Sequence, residues 1–294
     1  MTPAELLDRC SFPPARTPIV CAVSGGADSL ALLILGVAAG CAVTAVHVDH
    51  GLRDGSAAEA HVVAAAATRF GAAFEERSVE VAPGPNLEAR ARAARYGVLP
   101  VEVCTGHTAD DQAETVLLQL VRGAGLRGLA GMQPGPRHPL LALRRHETRS
   151  LCRTLGVVVV DDPMNADPRF ARVRMRTEVL PLLDDIADRD VAPVLARNAA
   201  LAAEACDALD AWSDNIDPTD VQALRSVPRP LARWAIRRWL VATTGAAHPP
   251  DLASVDRVLA VVDGSVRAAE IVGGWRVART AGRLRLEPPA PILG

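Results

Sequence analysis

Four groups of residues in this chain have the types and spacing of chemical sites. The first is Ser24-Gly25-Gly26-Ala27-Asp28-Ser29, enclosed by the apolar runs Ile19–Val23 and Leu30–Leu35. That order predicts a buried strand, a glycine turn and a helix start. Adjacent glycines let the backbone approach a ligand, because no Cβ intervenes. The free N–H groups of a first helical turn, with the helix dipole behind them, favour an anion. Ser24 and Ser29 add hydroxyl donors. Asp28 is the anomaly, since a carboxylate repels phosphate. It fits if a divalent cation bridges it to phosphate oxygens, because hard cations take oxygen ligands. The turn lacks the GK[ST] ending of a Walker A loop. The chain has no lysine at all, so arginine, metal and backbone must supply the positive charge.

The second group is Thr105-Gly106-His107-Thr108-Ala109-Asp110-Asp111-Gln112-Ala113-Glu114-Thr115. Asp110 or Thr108 can cap the helix that follows, which is the structural alternative to chemistry. With a start near Asp110, Asp111 and Glu114 stand three residues apart on one face. Two carboxylates and an imidazole beside a phosphate loop make a metal or amine site. The third group, His47-Val48-Asp49-His50-Gly51-Leu52-Arg53, ends a second strand. Its backbone could hydrogen-bond an adenine and Arg53 could meet phosphate. A strand end with satisfied histidines is the competing reading. The fourth group is arginine: Arg92 and Arg95 on a helix with Glu88, and Arg169, Arg172, Arg174 and Arg176 after a breaker segment. Guanidinium suits phosphate by its fork and permanent charge, although i,i+4 surface pairs explain the same pattern.

These groups need elements to hold them. The first half alternates strand signals (18–23, 42–48, 74–81, 101–106) with helix signals (29–39, 56–70, 87–97, 110–122). Alternation at that spacing predicts βαβ units and a parallel sheet with helices on both faces. Ligands in such sheets bind at the carboxyl ends of the strands, where the first three groups fall. Residues 157–160 read as a further short buried strand. From about 191 the chain turns helical (194–212, 228–243, 251–262). It then alternates around Gly273-Gly274 and Ala281-Gly282, as in a small antiparallel meander. We expect two domains, 1–190 for catalysis and 191–294 as a helical accessory domain ending in the meander. The hydrophobic fraction of 49% supports a packed core. A net charge of −2 excludes a global basic field, so any nucleic-acid contact rests on local arginines. The six cysteines form no CxxC pair, and no apolar run reaches a membrane span. The expectation is a cytoplasmic chain with no membrane partner.

The SGGxDS turn resembles the pyrophosphate loop of PP-loop ATP pyrophosphatases. With His47–Arg53, Glu88–Tyr96, His107–Met132 (HTADDQAETVLLQLVRGAGLRGLAGM), Asp162–Asn165 and Phe170–Leu183, the chain is similar to the tRNA(Ile)-lysidine synthetase family. The resemblance runs over about residues 20–185. Departures are Met164 for a usual Ser, Val173 for the Asn of FxRNxIR, and His138 for an Arg before Pro139-Leu140-Leu141. The resemblance implies a Rossmann-like PP-loop ATPase domain followed by the first accessory domain of that family. It implies ATP as substrate with Mg²⁺ at Asp28, and free L-lysine and a CAU-anticodon tRNA(Ile) as partners. The ATP site would comprise Ser24, Gly25, Gly26, Ala27, Asp28, Ser29, His47, Arg53 and Gly106. Asp28, His107, Asp111 and Glu114 would be catalytic, with Asp111 and Glu114 holding lysine. Arg92, Arg95, Arg172, Arg174 and Arg176, with Arg229, Arg233, Arg237 and Arg238 of the second domain, would meet tRNA or phosphate. The oligomeric state stays open, with a homodimer among the options.

Three other readings compete. A tRNA thiolase on the same loop needs paired cysteines or an iron–sulfur site. A small-molecule amidating synthetase needs an ammonia source. A non-catalytic ATP module leaves the acids at 107–114 without a purpose.

Overall fold

The computed structural model describes residues 1–49, 51, 56–80, 87–160, 167–245 and 250–289, with the side chains of 56–58, 87–89, 91 and 92 left aside. Two compact units divide the chain, Met1–Ala203 and Glu204–Gly294. The division falls inside one continuous helix, beyond the position near 190 suggested by the change in composition.

The first unit begins with α1 (Pro3–Leu7), β1 (Pro18–Ala22), α2 (Ala27–Ala38), β2 (Ala42–Asp49), α3 (Ser56–Phe70), β3 (Ala73–Ser78) and α4 (Leu87–Gly97). The three strands are parallel in the order β1-β2-β3, with Pro18 opposite Ala42 and Thr44 opposite Ala73. Both faces of the sheet are covered, as parallel sheets require. Ile19 and Cys21 of β1 and Val43 and Ala45 of β2 join the core around α2. Their alternates Val20, Ala22, Val46 and Val48 pack instead with Tyr96, Leu99 and Val103. Leu30, Leu32, Leu33 and Leu35 of α2 are fully buried. A helix apolar on all sides is one enclosed by protein, and α2 is the central pillar of the unit.

Residues 101–106 do not form the expected fourth strand. One parallel bridge, Cys21 to Cys104, is all that pairs. The Ala22 N–H donates to the Cys104 carbonyl (3.0 Å) and the Cys104 N–H to Val20 (2.8 Å). The chain then leaves the sheet, because the Thr105 N–H turns away to the Arg137 carbonyl at 2.9 Å. Residues 157–160 are likewise no strand. They follow α7 (Arg145–Thr154) and pair with no described strand, and Val158 is 70% exposed. The Val160 N–H instead donates to the Gly25 carbonyl at 2.9 Å, so the segment braces the glycine turn.

Between these lie α5 (Ala109–Val121) and α6 (Leu126–Leu129), and after them α8 (Ala171–Arg174), a π-helical turn (Met175–Val179) and α9 (Leu180–Ala187). The Gln112 side chain folds the segment after α6 back onto α5. Its amide accepts from the Met132 N–H and donates to the Met132 carbonyl, both at 2.9 Å. Ala113 and Leu117 of α5 pack against Leu180, Val191 and Ala192.

The long α10 (Ala192–Ser213) leads to α11 (Val221–Ser226), α12 (Arg229–Thr244) and α13 (Leu252–Asp263), then β4 (Ala268–Glu270), β5 (Arg276–Thr280) and β6 (Arg283–Glu287). The last three form the antiparallel meander. Ala281 and Gly282, at φ +49° and +77°, make its second turn, the double positive φ that matches strand twist in a two-residue hairpin. Ile236, Leu240, Val258, Leu259 and Val277 form the core of this unit. No described helix is long and apolar enough to cross a membrane.

Candidate active site

The site lies at the carboxyl end of β1 and is built on close backbone approaches. Gly25 adopts φ +87°, a region L side chains rarely enter, and a Cβ there would stand 2.9 Å from Val160 Cγ2. Gly26 ends the turn and caps α2 with extended backbone. Ser29 ties the turn together: its hydroxyl donates to the Gly26 carbonyl (2.9 Å) and accepts from the Ser24 N–H (3.1 Å). Gly106 matters for a reason the sequence did not show. A Cβ on it would lie 2.5 Å from the Asp28 carbonyl oxygen and 3.0 Å from the Ser29 nitrogen. The turn after Cys104 therefore rests directly on the first turn of α2.

The acids meet at Arg145, the first residue of α7. Its guanidinium donates to Asp111 (2.7 Å) and twice to Glu114 (both 3.1 Å), and lies 3.5 Å from Asp28. Asp28 also accepts from the Thr148 hydroxyl, one helical turn along. Burial, more than any other influence, raises the Asp28 carboxyl above its ordinary value. The Asp111 charge adds to that, while Thr148 and Arg145 pull it back.

Asp111 caps its own helix. It accepts from the Thr108 N–H (2.9 Å) and hydroxyl (2.8 Å), so the capping alternative is realised together with the arginine contact. Burial would raise its carboxyl, but Arg145, His107 and the Thr108 donors outweigh this and hold it low. Glu114 is fully buried and shared by three arginines. Besides Arg145, Arg176 donates to both of its oxygens (2.7 and 3.1 Å) and Arg172 lies 3.5 Å away. Three carboxylates thus face three guanidiniums in a cluster with no net charge. Asp110, next to the cluster, accepts two bonds from Arg144 (3.0 and 2.9 Å) and one from the Arg145 N–H (2.8 Å), and so fixes the start of α7 on α5.

The other expected residues fall variously. His47 is buried, with Nδ1 3.0 Å from the Val23 carbonyl, and locks the ends of β1 and β2 together. His107 Nδ1 is 2.7 Å from the Thr105 hydroxyl, which is 2.8 Å from His138 Nδ1. Arg95 lines the cleft over the glycine turn. Arg174 pairs with Glu178 on the exposed face of its helix (2.8 Å). Arg53 and the Arg92 side chain lie outside the described residues, as does Asp162–Asn165. In the second unit Arg229, Arg233 and Arg238 are bonded to Asp263, Asp256 and Asp214. Such exposed pairs are weakened by solvent and salt. Arg145, the hub of the cluster, was not singled out by sequence reasoning, and neither was Thr148. The available signal was the Arg144-Arg145 doublet heading a helix.

The cleft above the cluster has a volume of about 1090 Å³. The glycine turn, Asp28, His47, His107, Asp111 and Arg145 share its wall. A glycine turn at a strand's carboxyl end, backed by a helix start and flanked by acids and arginines, defines a nucleotide site of the PP-loop class, and the PP-loop domain family matches residues 5–183. Similarity extends well beyond that domain. The tRNA(Ile)-lysidine synthase of Nocardia farcinica is 42% identical, over 95% of this chain and 94% of its own length. That of Rhodococcus erythropolis is 40% identical, over 94% and 91%. The chain belongs to the tRNA(Ile)-lysidine synthase family. Among solved structures, the U34-tRNA thiolase NcsA from Methanococcus maripaludis shares the fold, with a TM-score of 0.54 at 14% identity over 67% of this chain and 77% of that one.

Proposed function

We propose that the protein uses ATP to join free lysine to C2 of the wobble cytidine in a CAU-anticodon tRNA(Ile). One observation carries the reading beyond family membership: Arg145 links Asp28 and Asp111, in the wall of the cleft that holds the glycine turn, to the buried Glu114 behind them. In the first step the cytidine O2 attacks the α-phosphorus, and pyrophosphate leaves with the electron pair of the broken P–O bond. The glycine turn and the N–H groups of α2 stabilise the charge that builds there. In the second step the neutral ε-amine attacks C2, AMP leaves with the C–O electron pair, and the amine loses a proton.

The residues fit these tasks unequally. Asp28 faces the cleft with 27% of its side chain exposed. A lone carboxylate suits Mg²⁺, which takes one or two carboxylates and completes its sphere with phosphate oxygens and water. Bound there, the ion would neutralise charge on the phosphates. Asp111 lines the cleft and stays ionised, so it is suited to hold an ammonium group and poorly suited to deprotonate it. Glu114, buried behind it, supports the lysine site through Arg145 and Arg176. His107 lines the same wall, and an imidazole is the better proton acceptor near neutral pH. Splaying a base from an anticodon loop costs little, since it is already single-stranded. The thiolase alternative has less support: the six cysteines are free, and none of them lines the cleft. Free, mostly buried thiols also suit the cytoplasm.

The test supplies ATP, Mg²⁺, labelled lysine and unmodified tRNA(Ile) with a CAU anticodon. Label should enter that tRNA and not a CAU-anticodon tRNA(Met), and Asp28→Asn should abolish pyrophosphate release. Sulfur incorporation without lysine transfer would overturn the reading.

A further inference from the structure

Five arginines line the cleft against three carboxylates, Asp28, Glu59 and Asp111, so its wall carries an excess of positive charge. The arginines are not equivalent. Arg145 and Arg176 are held by the acids. Arg149 and Arg153 follow Arg145 at four-residue intervals along α7, which places the three on one stripe of the helix. Both are exposed in the cleft wall, and neither side chain has an ion pair or hydrogen bond with a described residue.

Their level along α7 is fixed by their neighbours. Thr148, one residue before Arg149, bonds to Asp28. Cys152, one residue before Arg153, donates its thiol to the Ala27 carbonyl at 3.5 Å. The stripe therefore runs beside the first turn of α2 and shares the cleft wall with the glycine turn. Elsewhere in the site Arg145, Arg172 and Arg176 are spent on carboxylates of the protein, and Arg95 lies over the Tyr96 ring. A long, charged side chain left without a partner in a cleft loses nothing of its charge and gains from any polyanion placed there.

We propose that Arg149 and Arg153 hold the β- and γ-phosphates of the nucleotide against the glycine turn, and hold pyrophosphate after it leaves. They supply the fixed positive charge that a phosphate-loop lysine supplies elsewhere, in a chain that has no lysine. The proposal rests on the ATP-using reading above and adds to it the residues that grip the tail. Guanidinium forks match phosphate oxygens in pairs, so two of them a helical turn apart can serve two successive phosphates.

The experiment measures binding of ATP, AMP and pyrophosphate to the full chain, with Arg149→Gln, Arg153→Gln and the double variant. Each single change should weaken ATP and pyrophosphate about tenfold, as expected for a charged hydrogen bond. AMP, which lacks the tail, should bind within about twofold of wild type. Arg149→Lys should restore part of the loss, since charge returns without the fork. Both side chains are exposed, and unchanged melting curves would show that the variants are folded. Unchanged ATP and pyrophosphate affinity would overturn the proposal. So would equal losses for AMP and ATP, or a loss confined to tRNA binding and its salt dependence, which would assign the stripe to the RNA backbone. A wild-type chain that binds no ATP would instead overturn the functional reading on which it rests.

Discussion

Replacing Arg145 by methionine withdraws one guanidinium from three carboxylates at once. The side chain is 14% exposed, Asp111 is 12% exposed and Glu114 is not exposed at all. The cost therefore belongs to the buried range of about 3–5 kcal/mol rather than the surface range of about 0–1 kcal/mol. Glu114 keeps Arg176 and Arg172, so its charge stays compensated. Among the described residues, Asp111 keeps the Thr108 donors and the nearby His107, and Asp28 keeps Thr148. These residual partners place the expected loss near the lower end, about 3 kcal/mol. For a unit of this size that is roughly 6–12 °C in melting temperature. The loss also has a pH signature. The Asp28 carboxyl is already raised, first by burial, and loses the Arg145 contribution that lowers it. A group raised above its unfolded value costs stability when ionised, and that cost disappears as pH falls through the folded-state value. The gap between wild type and Arg145→Met should thus be widest near pH 7 and narrow as the medium is made mildly acidic. Thermal melts from pH 7.5 to 4.5 read both quantities. A variant within about 1 kcal/mol of wild type at neutral pH, or a gap that ignores pH, would refute the hub.

Other outcomes follow from the same geometry. Gly106→Ala drives a Cβ into the backbone of Asp28 and Ser29, which cannot move aside as a side chain could, so pyrophosphate release should fall at least tenfold and stability by about 1–3 kcal/mol. Glu114→Gln leaves three arginines around an uncharged amide; stability should drop by about 3 kcal/mol, and the KM for lysine should rise more than that for ATP. Equal changes in both constants would separate Glu114 from the amine site. The Asp110 carboxyl, which burial would raise, is held low by Arg144 and the Arg145 N–H. Its contribution is present above the unfolded value and lost as pH falls through the folded one, so Asp110→Asn should destabilise at pH 7 and converge with wild type as the medium falls below the ordinary carboxylate range.

The helices and the first three strands are legible in the chain because their evidence is local. Apolar periodicity and glycine punctuation mark 18–22, 27–38, 42–49 and 56–70 nearly to the residue. The glycine turn and the acidic helix start are legible for the same reason, since each is a short string whose chemistry is written in consecutive residues. Residues 101–106 and 157–160 misled because a local run does not say which backbone partner its N–H groups will find. Thr105 turns to Arg137 and Val160 to Gly25, and both partners are distant in sequence.

What the amino-acid order determined by itself was a phosphate turn, an acid pair on one helix face and a lysine-free supply of positive charge. Tertiary structure alone decided which arginine meets which acid. Arg145, Arg172 and Arg176 are local equals as charged side chains in helical turns, yet they converge on Glu114 only because α5, α7, α8 and the π-helical turn pack around it. Ion pairing depends on separations of a few ångströms between segments far apart in the chain, and no local pattern encodes those separations.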